Sequence, residues 1–140
     1  MNIFWFRRDL RLDDNVGLFH ALNSGEEVLP IFIFDESILS QLEKNDARVT
    51  FIHQQLEQIQ KQLQGIGKSL AIFYGKPFEV YQKLIAENSI STVFTNHDYE
   101  PYARKRDLEL YHLFKENKID FKTSKDQVIF EKSEVVKDDG

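Results

Sequence analysis

The sequence predicts a doubly wound α/β domain built on a five-stranded parallel sheet with helices on both faces. Three observations carry that expectation. Apolar runs of strand length alternate with amphipathic stretches of helix length along the 140 residues. The first four runs are continuous rather than alternating, which suits strands covered on both faces. The amphipathic stretches are bounded by capping residues, proline and glycine, as helices are.

The first strand is expected over Asn2 to Phe6. Asn15 is placed to N-cap a helix carrying Leu18, Phe19 and Leu22 inward, stopped by Gly25. Val28 to Phe34 forms the second run. Val49, Ile52, Leu56, Ile59 and Leu63 follow 3-4-3-4 spacing, one stripe of an amphipathic helix that Gly65 and Gly67 end. The third run is Ser69 to Tyr74. Pro77, fit for a first helical turn, opens a helix with Val80, Tyr81, Leu84 and Ile85 inward. Thr92 to Thr95 is the fourth run. A fourth helix starts near Glu100-Pro101 and sets Ala103, Leu110, Tyr111 and Phe114 on one side. A weaker fifth strand is centred near Phe121. The globular domain is expected over residues 1–125. Residues 126–140 are charged after a short apolar run at Gln127 to Phe130 and read as a linker leading to a further domain.

Composition narrows the function. Hydrophobic residues make up 41% of the chain, with twelve Phe, so a packed core is expected rather than disorder. The net charge of −5 argues against gripping nucleic acid through the overall field. With no cysteine, disulfides, thiolate metal sites and cysteine nucleophiles are excluded. His20, His53, His97 and His112 show no metal-ligand spacing. No apolar run reaches transmembrane length and the first residues are too short for a signal peptide, so a cytoplasmic domain without a membrane partner is expected.

In open α/β sheets, ligands bind beyond the carboxyl ends of the strands. The loops to inspect are therefore Arg7 to Asp14, Asp35 to Asp46, Gly75-Lys76 and Asn96 to Glu100. None carries a G-x-G-x-x-G or G-x-x-x-x-G-K-[ST] phosphate loop. The first loop sets Arg7, Arg8 and Arg11 against Asp9, Asp13 and Asp14. The fourth begins a helix in which Arg104, Lys105 and Arg106 face Asp107 and Glu109. Taken alone, each loop reads as a self-neutralised ion-pair network.

Taken together, these stretches resemble one family. "FWFRRDLRLDDN" is similar to the opening signature of the DNA photolyase/cryptochrome family. "FIFDES", "ARVTFIHQQLEQIQKQL", "YGKP" and "NHDYEPYARKRD" resemble its later motifs, in order and at family spacing. The resemblance implies a Rossmann-like N-terminal domain that binds an antenna chromophore. It further implies a separate helical domain that binds FAD and UV-damaged DNA, where light drives the splitting of pyrimidine dimers. This chain would then hold no catalytic residue. The matching positions imply that Arg48, Asp98 and Glu100 line the antenna cleft, with Phe6 and Phe34 at strand ends packing on a flat ring. The folate-type pattern has Asn-Glu where this sequence has Tyr102 and Ala103. The expected pigment is therefore a deazaflavin or FMN rather than methenyltetrahydrofolate. Three other readings stay open: a cryptochrome-like photoreceptor domain, a stand-alone α/β nucleotide-binding module, and an interaction domain without a ligand.

Overall fold

The computed structural model describes residues 1–7, 10–35, 47–97 and 101–124, and at 47, 48, 101 and 102 the backbone alone. The apolar runs become β1 (Asn2–Phe6), β2 (Val28–Asp35), β3 (Ala71–Gly75), β4 (Thr92–Asn96) and β5 (Asp120–Ser124). Between them lie α1 (Val16–Leu22), α2 (Ala47–Gln64), α3 (Pro77–Glu87) and α4 (Pro101–Glu116). The strands pair in parallel in the order β3-β2-β1-β4-β5. The chain thus winds outward from β1 in both directions, and the order reverses between β1 and β4.

This topology explains why β1 is apolar throughout. It is the central strand, and all five of its residues are buried. Ile3 and Trp5 face a core shared with Tyr81 and Leu84 of α3 and with Leu110, Leu113 and Phe114 of α4. Phe4 and Phe6 face the opposite core, with Leu18 and Ala21 of α1 and with Leu56, Ile59 and Leu63 of α2. Two layers of helices therefore cover one sheet. Each large apolar side chain enclosed this way contributes about 1.5–3 kcal/mol.

Three sequence expectations are corrected. The third strand begins at Ala71, not Ser69, because the Gln60 carboxamide occupies the Leu70 backbone: its oxygen accepts from the Leu70 amide at 2.8 Å and its nitrogen donates to the Leu70 carbonyl at 3.2 Å. That strand is also an edge strand rather than one covered on both faces, leaving Ile72 41% and Tyr74 65% exposed. In α1 and α4, Phe19, Leu22 and Tyr111 point outward. The inward positions are Gly17, Leu18 and Ala21 in α1, and Leu113 joins Leu110 and Phe114 in α4. The tail from residue 125, including Gln127 to Phe130, lies outside the described residues.

Register gives the carboxyl rim of the sheet its shape. Phe6 ends β1 opposite Phe32, while β2 continues to Asp35 and pairs there with Gly75 of β3. At about 3.3 Å per residue, Phe34 and Tyr74 stand roughly 6.6 Å above the level of Phe6. The rim is a step: a floor at β1 and β4, and a wall at β2 and β3.

Candidate functional site

The sheet divides the rim chemically. On the α3–α4 side the residues are charged. Arg7 follows β1 and donates through Nη1 to Oδ2 of Asp107 at 2.8 Å. Arg106 lies 3.6 Å from Asp35 at the end of β2 and 3.5 Å from the Asp107 carboxylate. Both guanidiniums lie over the indole of Trp5, with Cζ at 4.4 Å for Arg7 and 4.9 Å for Arg106. The two arginines and Asp35 are buried and Asp107 half-buried, so the cluster is balanced in charge and held largely away from water. Cations over an aromatic face and charge-assisted pairs with carboxylates are both favoured when desolvated. Beneath them Tyr81 meets Trp5 edge to face at 5.4 Å. Its hydroxyl is fully buried with no hydrogen-bond partner among the described residues. Burial pushes that hydroxyl well above the ordinary value of 10, against the opposing pull of the Arg7 and Arg106 charges.

On the α1–α2 side the residues are aromatic and amide. Asn96 ends β4, and its Oδ1 accepts from the backbone amide of Gly17 at 2.8 Å. Its Nδ2 donates to Oδ1 of Asn15 at 2.7 Å. The same Asn15 oxygen accepts from the Leu18 amide at 3.0 Å, which is the N-cap expected from the sequence. This buried net joins α1 to β4 at the point where strand order reverses. Gly17 is required there, since a Cβ would sit 2.6 Å from the Asn96 oxygen. Toward β3, Phe34 stacks on Tyr74 with centroids 4.8 Å apart and planes 9° apart, and His53 of α2 lies 4.9 Å from Phe34.

Of the residues marked by the sequence, Phe6 is wholly enclosed and Phe34 is 3% exposed. Arg48 falls in the first turn of α2, where the backbone alone is described, and Asp98 and Glu100 lie outside the described residues. The residues that sequence reasoning missed are Tyr74, His53, Asn96 and Gly17. Tyr74 opens the stretch "YGKP", and its strand-end position, matching that of Phe34, is the available signal.

The first loop does not neutralise itself through its own aspartates alone. Arg7 reaches Asp107, one hundred residues on. Arg11 does stay local, donating to the backbone carbonyls of Asp13 and Asp14. The described residues contain no group of three or more His, Asp or Glu able to hold a metal. What the arrangement offers is an aromatic wall above a polar, buried floor, which suits a flat ring better than a bare phosphate. No helix among the described residues is long and apolar enough to cross a membrane.

Comparison with known proteins agrees with this geometry. Residues 2–140 match the model of the DNA photolyase family. A deoxyribodipyrimidine photo-lyase of Synechococcus sp. is 35% identical over 105 residues, 75% of this chain and 22% of that protein. Cryptochrome-1 of Drosophila melanogaster is 30% identical over an alignment of 146 residues, 99% of this chain and 27% of that one. Among solved structures, an archaeal photolyase from Sulfolobus tokodaii holding two FAD molecules superposes with a TM-score of 0.77 at 33% identity, over 89% of this chain and 29% of its own. A class III photolyase from Agrobacterium tumefaciens gives 0.76 at 26% identity, over 89% and 25%. The chain spans 22 to 29% of the length of these relatives.

Proposed function

The chain belongs to the DNA photolyase family, and on that premise we propose that it is the antenna-pigment domain of a light-driven DNA repair photolyase. The observation that carries the proposal is the likeness to the Sulfolobus tokodaii photolyase, described as implying a novel light-harvesting cofactor, which extends over 89% of this chain. The pigment absorbs light and passes its excitation to an FAD held by a helical domain. Reduced FAD then gives an electron to a pyrimidine dimer in damaged DNA. This chain's residues bind and orient the pigment, and none acts on the dimer.

In this reading the pigment is a tricyclic flavin or deazaflavin rather than methenyltetrahydrofolate. Asp98 and Glu100 accept hydrogen bonds from its imide or ribityl hydroxyls, and Arg48 meets a phosphate or ring carbonyl. Phe6 underlies the floor, and Phe34 anchors the wall on which the ring rests. The domain is expected to extend to about residue 125, with residues 126–140 running toward the helical domain.

A second reading has its own support. The Drosophila cryptochrome aligns with 99% of this chain, so the same domain would serve a blue-light photoreceptor. The deciding experiment is an action spectrum of dimer repair by the protein as its own cell makes it. Repair driven at wavelengths absorbed by the pigment and not by reduced FAD supports the photolyase reading. A pigment-bearing protein without repair at any wavelength favours the photoreceptor. A protein that takes up no pigment sinks both.

A further inference from the structure

We propose that Arg7 and Arg106 hold Trp5 against giving an electron to the light-excited pigment, so that absorbed energy is passed on rather than lost inside the domain. The inference rests on the flavin-type pigment read above and gives a role to the charged cluster on the α3–α4 side of the rim. An excited flavin is a strong one-electron oxidant, and an indole is a ready donor. Trp5 is the single tryptophan of the chain and the penultimate residue of the central strand. At about 3.3 Å per residue, its backbone lies within roughly 10 Å of a ring seated on the rim. Left unguarded, that pair spends the excitation: the indole loses one electron and becomes a radical cation, and the ring gains that electron.

The surroundings of Trp5 oppose this step twice. The guanidiniums of Arg7 and Arg106 stand over the indole, with Cζ at 4.4 Å and 4.9 Å from its centroid. A positive charge formed on the ring meets two cations where water screens little, since Trp5 is 2% exposed. Asp107 and Asp35 pair with those guanidiniums and offset part of the field, but it is the cations that lie over the ring. Tyr81 closes the second route. It meets Trp5 edge to face at 5.4 Å, and a phenol refills an oxidised indole only by losing a proton along with its electron. Its buried hydroxyl has no hydrogen-bond partner among the described residues to take that proton. A hole on Trp5 is therefore costly to make and has no described path onward.

The test is the fluorescence lifetime of FMN bound to the chain and to its variants. In Trp5→Phe the lifetime is expected to match that of the unaltered chain, since a guarded indole quenches nothing. In Arg106→Gln it is expected to shorten about tenfold, because one of the two opposing charges is gone. The double variant Arg106→Gln with Trp5→Phe is expected to recover it, and Arg106→Lys, which keeps the charge, to retain most of it. Arg7→Gln takes the same place should Arg106→Gln fail to fold, which circular dichroism reports. A lifetime that lengthens severalfold in Trp5→Phe overturns the proposal, because the indole then quenches despite its arginines. A folded glutamine variant with the lifetime of the unaltered chain overturns it as well. In either case flavin is bound and the pigment reading stands. Binding of no flavin overturns both together.

Discussion

Arg7 and Asp107 meet at 2.8 Å across one hundred positions of sequence. The pair ties the end of the central strand to the second turn of α4. The Arg7 side chain is 5% exposed and that of Asp107 21%, so removing one partner leaves a charge in a place water barely reaches. Asp107→Ala is expected to lower stability by about 3 kcal/mol, measured by urea unfolding followed through the emission of Trp5. Arg7→Lys is expected to lose part of the same stability. An ammonium keeps the charge and gives up both the placed Nη1 hydrogen bond to Asp107 and the flat face over the indole.

Gly17 is the most closely packed of the described glycines. An added methyl would meet the Asn96 side-chain oxygen at 2.6 Å and the Phe4 ring at 3.0 Å. Gly17→Ala is expected to destabilise by about 1–3 kcal/mol, through overpacking and through the displaced hydrogen bond to the Gly17 amide. Combining it with Asn96→Ala is expected to cost less than the sum of the two, because both changes break the same contact. Additive unfolding free energies would show that the clash lies elsewhere.

Much of this fold was legible because helix and strand periods differ and because glycine and proline mark the boundaries. The stripe through Leu56, Ile59 and Leu63 could not be read as a strand, and all three are buried. What could not be read was who stands beside whom. Arg7 had aspartates within seven positions, yet it reaches Asp107 because strand order sets β4, and the helix that follows it, next to β1. The run ending at Tyr74 looked like a central strand, because apolar content carries no information about being last in a sheet. Asp98, Glu100 and Arg48 are singled out only by family resemblance, since carboxylates beside a helix start are ordinary surface chemistry, and their side chains lie outside the described residues. Phe34 was marked as a ring-packing residue; its own neighbours Tyr74 and His53 were not.

Tyr81 gives the domain an alkaline sensitivity. Its folded value is raised by burial, above the 10 of an exposed tyrosine. Above pH 10 the unfolded chain releases this proton while the folded chain keeps it. The unfolded state then binds fewer protons, and stability falls as pH rises toward the folded value. Below pH 10 both states hold the proton and this group contributes no slope. Tyr81→Phe is expected to flatten that loss. At pH 7 it is expected to be neutral or stabilising by up to about 1 kcal/mol, since it removes a buried hydroxyl without a described partner. Thermal melts of both proteins from pH 7 to 11 check the two expectations together. An unchanged alkaline slope in the variant would assign the loss to other groups.

The pigment reading makes its sharpest demand on Asp98 and Glu100. If their carboxylates hold the ring imide or ribityl hydroxyls, replacing both with alanine removes charge-assisted hydrogen bonds that no neighbour substitutes. Each such bond is worth about 1.5–3 kcal/mol, so the double variant is expected to bind flavin at least a hundredfold more weakly. The melting temperature of the pigment-free chain is expected to change little, because these residues serve the ligand rather than the core. Asp98→Asn with Glu100→Gln is expected to fall between, since amides still accept hydrogen bonds but without the charge. Quenching of Trp5, the single tryptophan of the chain, by added flavin measures all three affinities. Trp5 lies in the central strand, on the face of the sheet opposite Phe34, and reports a flavin at the rim through energy transfer. Should the double alanine variant bind as tightly as the unaltered chain, the pigment sits elsewhere on the rim.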